Sequence, residues 1–93
     1  MEAFMVVSTF KEGTEMAEVF AVVAEEQAQV EILEAEGRIG SIHLSLARGT
    51  IFINAFAEDA EQAAATVRTL PMSKWWDLDV FPLAAPPVPG GRS

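Results

Sequence analysis

The sequence predicts an α+β fold of the ferredoxin-like type, βαββαβ, in which a four-stranded antiparallel sheet carries two helices on one face. Three observations lead there. Short runs of β-branched and aromatic residues alternate with longer stretches of helical apolar spacing in that order. The length, 93 residues, supports one domain. Both faces of the expected sheet carry apolar side chains, so the side without helices must also be covered.

Each element has its own signal. Ala3 to Phe10 (AFMVVSTF) reads as the first strand and ends at the turn Lys11-Glu12-Gly13. Thr14 is the expected N-cap of one long amphipathic helix, with Glu15 and Glu18 in its first turn. Its apolar residues recur at Met16, Val19, Phe20, Val23, Val30 and Leu33, and Gly37 closes it. Arg38 to Leu46 and Thr50 to Ala57 flank Ala47-Arg48-Gly49 and read as an antiparallel hairpin. Asp59, with Gln62 three residues on, opens a second helix over Ala60 to Leu70 that stops at Pro71. Trp76 to Leu83 is the last strand. Residues 1–83 thus form one domain, and 84–93 (AAPPVPGGRS) are expected to be a flexible tail.

Composition narrows the function. The chain is 51% apolar, more than the ~45–50% of ordinary domains, and a chain of this size buries only roughly 60–65% of its unfolded surface alone. An oligomer is expected, a homodimer at least and possibly a higher homo-oligomer, joined sheet to sheet. Fourteen acidic against six basic residues leave a net charge of −8, which argues against nucleic acid and against an anionic membrane surface. No cysteine and a single histidine leave no thiolate chemistry and no expected metal site. With no leader-like or spanning stretch, the expected location is cytoplasmic.

The residues left for chemistry are few. On a helical wheel centred on Met16, Gln27 and Glu34 fall on the apolar stripe and Glu26 at its edge. A carboxylate held there is either desolvated, with a raised pKa suited to proton transfer, or reaches along its stem to water. Regular alternation in the second strand puts Ile39, Ser41, His43 and Ser45 on one face, against Gly40, Ile42, Leu44 and Leu46 on the other. His43 in mid-strand is either a hydrogen-bonded structural or surface residue or a general acid or base. Asn54 on the next strand either orients it, donates to a developing oxyanion, or bonds to backbone. Of Trp75 and Trp76, one is expected to line a pocket or a partner and the other to pack in the core.

Three segments resemble the muconolactone delta-isomerase family. Leu70-Pro71-Met72-Ser73-Lys74-Trp75-Trp76-Asp77-Leu78-Asp79-Val80-Phe81-Pro82-Leu83 is similar to that family's closing motif. The helix from Ala24 to Gly37 resembles one with a glutamate at the place of Glu26, and His43-Leu44 with Gly49 resembles its His-Leu hairpin. Where the family has Trp-Arg this chain has Ser45-Leu46, and where it often has Lys this chain has Gln27. The resemblance implies a dimeric α+β barrel and a cofactor-independent isomerase or cyclase. Its expected substrate is a small, largely hydrophobic carbonyl or lactone compound, because both basic groups suited to a carboxylate are gone. Glu26 is the expected base and His43 the acid, with Ser41, Ser45, Asn54, Gln27, Trp75 and Trp76 around the substrate. A cofactor-free monooxygenase and a non-catalytic ligand-binding accessory protein are the alternatives.

Overall fold

A computed structural model describes residues 1–84. Along the chain come β1 (Glu2–Phe10), α1 (Met16–Ala21), α2 (Val23–Ala35), β2 (Ile39–Ser45), β3 (Thr50–Ala57), α3 (Ala60–Arg68) and β4 (Trp76–Pro82). Two 3₁₀ turns, Leu46–Arg48 and Pro71–Trp75, join the later elements. The strands form one antiparallel sheet in the order β2-β3-β1-β4. This is the predicted ferredoxin-like α+β arrangement. The tail expected from residue 84 onward lies, beyond Ala84, outside the described residues.

Strict alternation in the two central strands separates the faces. Phe4, Val6 and Ser8 of β1 and Ile51, Ile53, Ala55 and Ala57 of β3 are buried. Their face meets Leu33 of α2 and Ala63 and Val67 of α3 in one core, closed by Leu70 and Trp76. Met5, Val7, Phe52 and Phe56 point to the helix-free face and are only half-buried. The two apolar faces expected from the sequence are therefore present on the central strands.

Both well-signalled helix ends have their expected chemistry. Gly37 takes φ +72°, its N–H donates to Glu34 O, and the Arg38 N–H donates to Leu33 O, the paired bonds of a glycine-closed helix end. Asp59 Oδ1 accepts from the Gln62 N–H at 2.8 Å, and Gln62 Oε1 accepts from the Glu58 N–H at 2.6 Å.

Three expectations need correction. The long first helix is broken at Val22 (φ −109°, ψ 14°) into α1 and α2. Two adjacent β-branched residues, Val22 and Val23, weaken the helix there, and the Val22 N–H turns to Val19 O in a tighter three-residue bond. Thr14 is not the cap: its hydroxyl donates to Lys11 O at 2.6 Å and closes the turn around Gly13, leaving Glu15 at the N-cap without a side-chain bond. Strand β2 is not regular either. Ile39 pairs with Ala55 while Ile42 pairs with Ile53, so one extra residue is accommodated in a bulge at Gly40 and Ser41. The bulge aligns Ile39, Ile42 and Leu44 on the helix side, where regular alternation would have turned Ile42 and Leu44 away.

Gly40 permits that bulge. A Cβ there would stand 3.0 Å from Asn54 Oδ1 and 3.1 Å from the Phe56 ring.

Candidate active site

The break at Val22 resets the helical wheel. In α2 the side chains turned to the sheet are Val23, Glu26, Val30 and Leu33, and Glu34 is exposed rather than on the stripe. Glu26 moves from the edge of the apolar stripe to its middle. Below it lies a cavity of about 360 Å³ between α2 and the sheet, walled by Val23, Val30, Ile42, Ile53, Leu70 and Trp76 among others.

Glu26 is the one ionisable side chain lining this cavity among the described residues. Its Oε1 accepts from the Met72 backbone N–H at 2.9 Å, a bond between α2 and the Pro71–Trp75 turn. Burial holds the carboxyl above the usual carboxylate range, and the Met72 bond opposes that rise without cancelling it. The result is a carboxyl in an apolar setting with one oxygen anchored, able to accept and return a proton.

Trp76 forms part of the same wall. Its ring packs edge-on to Phe10, with centroids 6.2 Å apart and planes at 79°. Its buried Nε1 has no hydrogen-bond partner among the described residues, nor has the hydroxyl of fully buried Ser8. Such groups normally find partners, and leaving one without costs about 1–3 kcal/mol.

The expected site residues divide between the two sides of the sheet. Glu26, Gln27 and Trp76 line the larger cavity, and Ser45 lines a second of about 170 Å³ beside it. His43 is exposed and opposes Phe52, whose face is the helix-free one. The expected pairing of Glu26 with His43 does not form within the chain, because the bulge puts the imidazole on the side away from the carboxylate. Ser41 is exposed in the bulge itself. Asn54 also stands on the helix-free side, its Nδ2 donating to Phe4 O at 3.1 Å. Trp75 packs against the core outside both cavities and carries the Lys74 ammonium 4.6 Å from its ring centroid.

Sequence reasoning missed Met72 and Ser8. The first contributes a backbone N–H, which its side-chain type does not announce, although Pro71 marked the turn that presents it. The second had a signal: a hydroxyl among Phe4, Val6 and Phe10 on the alternation that faces the helices.

No helix among the described residues is long and apolar enough to cross a membrane, and no group of three or more potential metal-ligating side chains occurs among them. A search of curated proteins finds no match to the chain. A scan of protein families matches residues 3–88 to muconolactone delta-isomerase. That span takes in every strand and helix described above, with Glu26 and the turn that anchors it, and the chain therefore belongs to the muconolactone delta-isomerase family.

Proposed function

We propose that the protein is a cofactor-independent isomerase that moves a double bond, or closes a ring, on a small, neutral and largely hydrophobic carbonyl or lactone compound. One observation carries this reading: a single carboxyl, held above its usual pKa by burial, lines a largely apolar cavity about 360 Å³ in volume. That volume lies at the lower end of the roughly 300–1,000 Å³ typical of small-molecule sites.

In this reading Glu26 removes the proton on the carbon beside the carbonyl, and the electron pair moves to give an enolate. The enolate oxygen takes a hydrogen bond from the amide of Gln27, which also lines the cavity. The protonated Glu26 then delivers the proton to the γ carbon, so the double bond moves by one position and atoms and charge are conserved. A single residue serves as base and then acid, which suits His43 lying across the sheet. The substrate is neutral because no cation lines the cavity; a carboxylate there would be desolvated beside Glu26 with nothing to pair with.

The protein acts as a homodimer whose helix-free sheet faces meet, covering Met5, Val7, Phe52 and Phe56. The same single titratable group favours one other reading, a ligand-binding accessory protein that performs no chemistry.

A γ-methyl β,γ-unsaturated butenolide in deuterated water provides the test, followed by NMR. The expected result is enzyme-dependent formation of the α,β-unsaturated isomer with the substrate's own α proton carried to the γ carbon, deuterium entering only as far as the Glu26 carboxyl exchanges with solvent during turnover. Glu26→Gln is expected to lose at least about 100-fold in rate, the lower end of what a positioned acid–base group contributes. A Glu26→Gln variant as fast as wild type sinks the mechanism, and tight binding with no isomerisation favours the accessory role.

A further inference from the structure

The two cavities are neighbours with common walls. Val23, Leu44, Ile51 and Met72 line both, so the two chambers are adjacent and divided by these four residues. Their chemistry differs. The larger holds Glu26, whereas among the described residues no ionisable side chain lines the smaller, whose surface is almost wholly apolar.

The lip of the smaller chamber is unusual for a surface. Leu46 is 87% exposed, Phe20 68% and Leu44 62%, and all three line that chamber. A collar of large apolar side chains round an apolar hollow marks a place where an apolar group is taken up.

We propose that the smaller chamber is a subsite for an apolar arm of the substrate, an alkyl or aryl substituent carried by the carbonyl-bearing head that sits at Glu26. The proposal rests on the reading of Glu26 given above and extends it. It makes the natural substrate a two-part molecule: a compact neutral carbonyl or lactone ring, and an apolar extension that leaves the Glu26 chamber between Leu44 and Met72 and ends under Phe20 and Leu46. The occupant follows from adjacency, since only Val23, Leu44, Ile51 and Met72 stand between this hollow and the one that holds the carboxyl.

The experiment uses saturated γ-alkyl butyrolactones from methyl to octyl, which have no double bond to shift and so report binding alone. Calorimetry on the wild-type protein is expected to show affinity rising by about fourfold per added methylene, the gain from burying one CH₂, and then levelling as the chamber fills. Met16→Trp, which places an indole in the chamber lining, is expected to flatten that dependence, and thermal unfolding verifies that the variant is folded. Leu46→Ser, at a largely exposed position, is expected to weaken the longer homologues and leave the fold intact.

Affinity that does not change with chain length in the wild type overturns the subsite, whatever Glu26→Gln does to the butenolide reaction. If the chain-length dependence is present but Glu26→Gln isomerises as fast as wild type, the reaction falls and the arm subsite stands. If Leu46→Ser splits an oligomer and leaves the dependence unchanged, the collar is a subunit contact and the proposal is overturned.

Discussion

Glu26 shows how one side chain reports its surroundings twice, in protonation and in stability. Its folded-state pKa lies above its unfolded value because burial penalises the charged form. A carboxyl raised in this way contributes stability that is fully present below the unfolded pKa and is lost as pH rises through the folded value. Glu26→Gln keeps an acceptor for the Met72 N–H and has no charge to bury. Thermal scans across pH should therefore show the melting temperatures of wild type and Glu26→Gln close together in acid. The variant should gain on wild type as pH rises to neutrality, while the rate of the wild-type reaction rises over the same interval as the base form appears. A constant difference across pH would contradict this. The position of Glu26 near an apolar stripe was legible in the sequence, since residue spacing alone puts it there. The side of the sheet taken by His43 relative to Ile39 was not, because it depends on one extra residue in a bulge whose one local sign is Gly40 inside the strand.

Among the elements, the legible ones are those whose ends are written in side chains. Gly37 and Asp59 close and open helices as their types predict, and the strands start and stop within a residue or two of the expected positions. The break at Val22 and the bulge at Gly40 and Ser41 are different in kind. The bulge gives up one regular pairing step so that Ile39, Ile42 and Leu44 all face the helices, and the break, at the weak Val22-Val23 pair, sets α2 with Glu26 over the cavity. A glycine-closed end can be tested alone. A Cβ at Gly37 meets nothing within 4 Å, so the cost of Gly37→Ala is conformational, that of an L side chain at φ +72°. Chemical denaturation should show a loss of about 1 kcal/mol with an unchanged denaturant slope.

At the scale of the whole molecule, the sheet has one face fully dressed by helices and one that leaves aromatic and aliphatic side chains half-covered. The edges of that second face carry His43 on β2 and Asp77 and Asp79 on β4, and Phe81 of β4, half exposed beside Met5, extends the apolar patch of the two central strands. Phe52→Lys puts a charge at that centre without entering the core. Analytical ultracentrifugation should show the wild type as the proposed dimer and the variant as a monomer, and an unchanged sedimentation profile would remove the face from the assembly. The short α1 has a consequence of another sort. Six residues are too few to hold a helix by themselves, and Val19 is its only buried side chain. Its amides should exchange with solvent through local opening far faster than those of β1 and β3. Since Met16, Val19 and Phe20 line the smaller chamber, an arm held in the proposed subsite would come and go as this short helix frays, without any opening of the sheet.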